Sequence, residues 1–480
     1  MHFWRKRSHV LTAVIAFVIA CGALASCLVE WFDVPPRSLA PYIERRVSQH
    51  NPVIVGTGKW VARRLMVHDR GESPIRMAVP LRTGAQATFE TLSALTSLVH
   101  VGTAEQALNA IANAEPGQTI LLEPGKYRFH RPYIAIEKPG TSEHPIIMRA
   151  DRPGTVIIEL DTHEGFLVTA PYWTFENLHI QGVCHQHNDC EHAFHVVGNA
   201  HHFIARNNTI VDFNAHFKIN GASGQMPDDG MIDGNTLTNT SIRNTDHSVT
   251  PIDLVAASRW QIRRNLITDF VKGGSDKISY GAFVKGGGAD NRLEQNLVIC
   301  ENLLKAVPGQ RVGLSLGGGG TGKSYCRDRR CITEQDRGVI ASNLIASCSD
   351  DGIYVNRSAG SKIFHNTIID TGGVVVRFPE SSADVEGNLV DGSIRIRDDG
   401  IVRRLDNLET SMTYLYLGMH PVRHLFAEGA ASSFQWVSDP PRRNATTQTP
   451  LDLCGSVRPR SPAYGAFENF SACLSRDSQP

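Results

Sequence analysis

Asn265-Leu266-Ile267 is one of eight copies of a single phrase, an asparagine followed by apolar or β-branched residues. The others are Asn177-Leu178-His179-Ile180, Asn208-Thr209-Ile210, Asn235-Thr236-Leu237, Asn296-Leu297-Val298, Asn343-Leu344-Ile345, Asn366-Thr367-Ile368 and Asn388-Leu389-Val390. Successive copies lie 31, 27, 30, 31, 47, 23 and 22 residues apart. The last two intervals describe a bare coil, and the longer ones a coil carrying a loop. One asparagine per coil, stacked on the next, can satisfy the polar backbone inside a bend. The reading is all-β: a right-handed parallel β-helix.

Upstream of each asparagine the coil has room for another strand. His195, Lys218, Asp253, Lys285, Ser315, Asn356 and Arg377 fall at comparable places in these strands. Neighbouring coils stack about 4.8 Å apart, so His195, Lys218, Asp253 and Lys285 are expected in one file spanning roughly 15 Å. The stretch Asp212–Asn220 alternates without a slip, with Asp212, Asn214, His216, Lys218 and Asn220 on one face and Phe213, Ala215, Phe217 and Ile219 on the other. Period two marks a strand with one dry and one wet side, and the wet side suits a polar, anionic ligand. The inserts Gly221–Gly230, Lys272–Lys277 and Gly317–Arg337 fall beside this strand, where loops on a rigid scaffold carry function.

Outward from the repeat, Ala104–Ala114 has helical spacing and reads as a capping helix before strands at Thr119–Leu122, Pro145–Met148 and Thr155–Ile158. Val53–Val67 reads as strands and Phe89–Leu98 as a short helix. The expected organisation is 1–32 as signal or anchor, 33–102 as a juxtamembrane region, 103–400 as the β-helix and 401–480 as a C-terminal cap. Arg5, Lys6 and Arg7 precede an uncharged run from Val10 to Val29, an export signal. Cleavage after Ala23-Leu24-Ala25, lipidation of Cys27 in Leu24-Ala25-Ser26-Cys27, and retention as a span all fit that run. The expected location is the bacterial periplasm or cell exterior. Lys+Arg and Asp+Glu both number 48, which argues against a nucleic-acid binder. A monomer is expected. Setting aside Cys21 and Cys27, eight cysteines remain, and an exported chain would pair them. Proximity favours Cys184–Cys190, Cys326–Cys331 and Cys454–Cys473, which leaves Cys300–Cys348.

Ala107-Leu108, Pro116-Gly117-Gln118-Thr119-Ile120, Gly125-Lys126-Tyr127, Gly140-Thr141, Pro145-Ile146 and Gly154 resemble the first coils of polysaccharide lyases of the chondroitinase B and alginate lyase type, within the pectate-lyase-like β-helices. The resemblance covers about residues 103–300. It implies a lysine base in a strand, carried here by Lys285 in Phe283-Val284-Lys285, ahead of Asn296. It also implies an arginine in the next coil, where this chain has Gly317. Carboxylates binding Ca2+ just before the lysine are replaced by residues near Ile278 and Tyr280. Ca2+ thus enters as a cofactor only through the resemblance, and its ligands are unknown.

Removing the C5 proton of a uronate requires its carboxylate to be neutralised, by a metal or by Arg, Lys, His or Asn. A tuned base and an acid complete the reaction. Lys285 or His216 is the candidate base and Tyr280 the acid. Lys218, Asn214 and His195 are candidates to neutralise the carboxylate, and Asp253 and Arg377 to line the substrate path. Cys184–His195 is dense in metal-ligand types, but its spacing is no known zinc motif. Gly317–Ser324 matches the phosphate-binding loop pattern without the helix that such a loop needs. Asp228-Asp229 and Asn244-Thr245-Asp246 are the acids a glycosidase reading would use. The expected partner is an acidic polysaccharide, acted on by a lyase or C5-epimerase. The alternatives are a glycosidase and a non-catalytic carbohydrate-binding or envelope protein.

Overall fold

The computed structural model describes residues 2–71, 83–87, 97–305, 307–318, 320–426, 436–444 and 450–473. The chain forms two compact units: Met1–Ser73 with Thr410–Pro421, and Pro74–Glu409 with Val422–Pro480.

The second unit is a right-handed parallel β-helix. Three sheets of ten, eleven and twelve strands run its length, each strand pairing in parallel with the equivalent strand of the next coil. The sheets begin at Ser97–Val101 and end at Leu408–Glu409, a few residues outside the expected 103–400. A helix at Ala104–Ala112 adjoins the first coil. Thr103 caps it by accepting from Gln106 N, and Gln106 Oε1 accepts from Gly102 N, one residue before the cap, a variant of the capping box. Ala107 and Ile111 bury its apolar side in the core.

The asparagines form a continuous internal ladder. Asn208, Asn235, Asn265, Asn296, Asn343, Asn366 and Asn388 each donate from Nδ2 to Oδ1 of the next, ending on Asn407, at 2.9–3.1 Å. Each Oδ1 also takes the backbone N–H of the preceding ladder residue, as in Asn265 N→Asn296 Oδ1 at 3.0 Å. The residue just before each ladder position, such as Asn207, Arg264, Gln295 or His365, has positive φ. The corner is therefore a left-handed residue followed by a buried amide. Asn177 departs from the expected row: it is the left-handed residue, and Leu178 holds the ladder position, taking Asn208 Oδ1 on its N–H.

The region expected to cap the C-terminal end behaves differently. Ile401–Leu405 and Leu408–Glu409 are still coil strands. Leu453, Tyr464, Ala466, Phe467 and Phe470 then pack on Leu297, Ile299, Leu344, Ala346, Ile369 and Leu389, the outward side chains of the eleven-stranded sheet. The segment is thus a strap along that sheet. All four expected disulfides are present: Cys184–Cys190, Cys300–Cys348, Cys326–Cys331 and Cys454–Cys473.

The first unit is helical: α1 (His2–Phe32), α2 (Pro36–Val47), α3 (Pro52–Arg70) and a short helix, Met412–Leu417. The expected strands at Val53–Val67 are instead α3. Asn51 Oδ1 caps it through Val53 N and Ile54 N, and Pro52 occupies its first turn, signals that outweigh the β-branched run Val53-Ile54-Val55. Gly58 lies so close to α2 that a Cβ would meet Val47 Cγ2 at 2.6 Å. A buried ion pair between Arg37 and Asp69 clamps the two helices. Residues 89–96 of the expected helix at 89–98 lie outside the described residues, and Leu98 is in a strand.

Candidate functional site

Five of the expected side chains, His195, Lys218, Asp253, Lys285 and Arg377, share the outward face of the ten-stranded sheet. On its strands Phe194, Val196, Phe217, Ile219, Ile252, Leu254, Ala282 and Val284 point into the core, so the alternate positions point out. His195 is in register with Lys218, and Lys218 with Asp253. The next residue in that file is Phe283, not Lys285. Lys285 is two residues further along its strand, beside Val255, in a parallel file with Asn220. Both files face the same way, and from His195 to Lys285 is three coils, roughly 14 Å at the sheet spacing.

Lys218 Nζ is 2.7 Å from Asp253 Oδ2, while Asp253 Oδ1 is buried with no partner. Lys285 has no ion pair among the described residues. Its Nζ lies 4.2 Å from the centre of the Phe283 ring. A Cβ on Gly318 would stand 3.0 Å from Lys285 Cδ, so the glycine loop closes on this side chain. Burial holds the Lys285 amine below the usual lysine range; Lys218 adds to the shift, and Asp253 and Glu334 oppose it. Tyr280 packs edge-on to Phe283 at 5.3 Å. Burial, followed by Tyr354 and nearby aspartates, pushes its phenol pKa up, so the proton is firmly held. His195 puts Nδ1 2.9 Å from Glu164 Oε2 and Nε2 2.8 Å from Asn220 Oδ1. Arg377 lies further along the second file, in register with Asn356. It pairs with Asp398 and lies 4.5 Å from the centre of the Phe378 ring.

His216 and Asn214 do not join this face. Both are fully buried. His216 Nε2 meets Thr238 O at 3.0 Å, and burial lowers its pKa to about 4. Asn214 donates to His187 O at 2.8 Å and accepts from Arg243 Nε at 3.0 Å. The wet side read for Asp212–Asn220 is covered over its first half by the loops at 184–190 and 239–250. Alternation reports which way a side chain points, not what lies over it.

The glycine loop explains its own motif. Gly318 N, Thr321 N and Thr321 Oγ1 all turn to the Glu334 carboxylate, at 3.4, 3.3 and 2.9 Å. The anion it cradles is the chain's own, and only a 3-10 turn follows at Lys323–Tyr325. Gly317, where the resemblance implies an arginine, has φ +72°, and a Cβ there would fall 1.8 Å from Asn356 O. That backbone admits no side chain. Asp228 is held by Arg327 and Arg259, and Asp229 by Arg259, so these acids are not an opposed catalytic pair. In the ligand-rich segment, His163 Nε2 and His247 Nδ1 each pair with Glu191, at 3.0 and 3.1 Å. Among the described residues, no three His, Cys, Asp or Glu side chains are arranged to hold a metal. With Asp253 paired to Lys218 and Glu334 enclosed by its loop, the donors beside Lys285 do not fit a resident Ca2+.

Phe283, Glu334 and Glu164 belong to the site without having been singled out, and Asn220, read only as part of the wet face, joins it through His195. Phe283 was legible, since it shares Lys285's side of the strand. Glu334 and Glu164 reach the site from loops, which carry no periodic signal.

Residues 95–254 match the model of the Pel9A-like right-handed β-helix region. Among solved structures, pectate lyase Pel9A is 15% identical over 75% of this chain and 90% of its own, with a TM-score of 0.44. An alginate lyase from Paenibacillus sp. str. FPU-7 is 12% identical over 65% of this chain and 99% of its own, at 0.32. The GH136 lacto-N-biosidase from Eubacterium ramulus is 14% identical over 65% and 67%, at 0.41. No curated protein matches by sequence.

Proposed function

We propose that this chain, whose residues 95–254 are a Pel9A-like right-handed β-helix region, binds an acidic polysaccharide along the outward face of its ten-stranded sheet and abstracts the C5 proton of a uronate. The observation that carries the reading is Lys285, an amine without an ion pair among the described residues, whose pKa is depressed by burial. It stands on the same face as a second cation, Lys218. A depressed pKa provides the neutral amine that a general base needs.

The roles follow from these positions. Lys218 keeps donors free beyond its bond to Asp253 and takes the uronate carboxylate, which stabilises charge developing there as C5 loses its proton. The neutral Lys285 amine accepts that proton and becomes an ammonium. As the C4–O bond breaks, electrons move into a C4=C5 double bond, and Tyr280 donates its phenolic proton to the departing oxygen. Return of a proton to the opposite face of C5 would give epimerisation instead. Tyr280, partly exposed where it packs edge-on to the buried Phe283, offers an aromatic face on which a sugar ring can stack.

The test is ultraviolet absorbance of unsaturated uronate with pectate, alginate, chondroitin and hyaluronan. It is expected with one of them and lost in Lys285→Ala. Exchange of C5 hydrogen with deuterated water without absorbance would mark an epimerase. Neither signal, together with retained binding, would establish the rival reading, a non-catalytic carbohydrate binder. That rival is favoured by the side-chain-free position at Gly317.

A further inference from the structure

The helical unit carries a face that the polysaccharide reading leaves unused, and we infer that the α2–α3 hairpin lies on an anionic phospholipid surface. The claim is independent of that reading. Three observations converge on it.

The first is the hairpin's rigidity. Gly58, Ala62 and Asp69 of α3 are buried, and Arg37 donates to Asp69 from both its guanidinium and its backbone N–H. One side of α3 is thereby fixed inward. The second is what the opposite side presents. Val53 and Trp60 are seven residues apart, two turns of one face, and are 77% and 60% exposed. Arg63 and Arg64 flank the indole one turn on, with the Arg64 guanidinium 5.8 Å from the Trp60 ring centre. With Arg45, Arg46 and Lys59, the two helices expose five cations and one carboxylate, Glu44. An aromatic and aliphatic strip edged by arginine and lysine is the composition of a helix lying in a bilayer interface. The excess of cations selects anionic headgroups. The third is position in the chain. Val14–Phe32 of α1 is apolar, unburied and long enough to cross a bilayer, and only Asp33, Val34 and Pro35 separate it from α2. Three residues span at most about 11 Å, which keeps the start of the hairpin at the membrane surface while α1 is embedded.

The experiment uses the full chain reconstituted in vesicles of brominated phosphatidylcholine, with and without brominated phosphatidylglycerol. The Trp60 signal is the emission of wild type minus that of Trp60→Phe, and the Trp31 signal is obtained likewise with Trp31→Phe. The expected result is a blue-shifted, quenched Trp60 signal in the phosphatidylglycerol vesicles. It should revert to the phosphatidylcholine level in high salt and in a variant with Arg45, Arg46, Lys59, Arg63 and Arg64 each changed to Glu. Trp31, at the end of α1, should be quenched in both lipids. A solvent-like, unquenched Trp60 in phosphatidylglycerol overturns the proposal, because the wild-type measurement requires no variant beyond the surface Trp60→Phe. Quenching that is equal in both lipids overturns its electrostatic basis.

Discussion

Lys285 is the residue on which the proposed chemistry turns. Its replacement by Ala should lower kcat about 10²–10⁴-fold, the usual worth of a general base, with little change in polysaccharide binding measured by calorimetry. Since the reactive form is the neutral amine, the rate should rise with pH through the Lys285 pKa, and burial places that rise below the ordinary lysine range. A pH–rate profile with no such limb would remove Lys285 from the role. His216 illustrates the opposite case. Burial lowers its folded pKa to about 4, against an unfolded value near 6.5. The unfolded chain therefore binds the proton first, and stability falls as pH drops from about 6.5 to about 4, by up to about 3 kcal/mol from this group. Urea denaturation of wild type and His216→Gln at pH 7 and pH 5 checks the sign: the variant should lose less over that interval. His216 and Lys218 look alike in the sequence, both polar on an alternating strand. Only the loop residues stacked over the first half of that strand separate them.

The asparagine ladder is the element whose sequence signature and structure agree most fully. Asn296 bonds Asn343 on one side and takes two donors of Asn265 on the other, and its own Nδ2 reaches Ile262 O. Asn296→Ala would strand several buried polar groups at about 1–3 kcal/mol each. A loss of roughly 3 kcal/mol in denaturant unfolding is the expected outcome. The ladder was legible because each coil repeats the same corner, and a buried amide in a bend has few substitutes. The slip at Asn177, one residue off the row, arose because asparagine also suits the left-handed position just before it. The α3 helix was misread for a different reason. Three β-branched residues in a row suggest a strand, whereas the local cap of Asn51 and Pro52 starts a helix and packing on α2, which no short window contains, holds it. The glycine loop adds a further expectation. Gly317→Arg restores the residue type implied by the resemblance, yet it should impair folding and not aid activity, since its Cβ would overlap Asn356 O. Recovery of a soluble, more active variant would show that this reading of the loop is wrong.

Taken whole, the β-helix brings residues from 195 to 377 onto one face through parallel register, and the proposed site depends on that face more than on any single loop. Because Lys218 already supplies a cation on the same face as Lys285, and no carboxylate cluster accompanies them among the described residues, chelation with EGTA should leave polysaccharide binding and turnover unchanged. Abolition by EGTA and recovery with Ca2+ would contradict this. The coil period, every asparagine rung but Asn407 and the apolar N-terminal run were determined by the sequence itself, because each follows from spacing along the chain, and proximity favoured the disulfide partners without fixing them. Which polar side chains reach solvent, the pairing of Lys218 with Asp253, the cradling of Glu334 and the path of residues 450–473 along the eleven-stranded sheet were decided by tertiary structure. The physical reason is that a solenoid stacks coils of unequal length. Register between strands can be traced from the repeat, but the loops those coils extrude settle where packing and charge place them, and they determine what remains exposed.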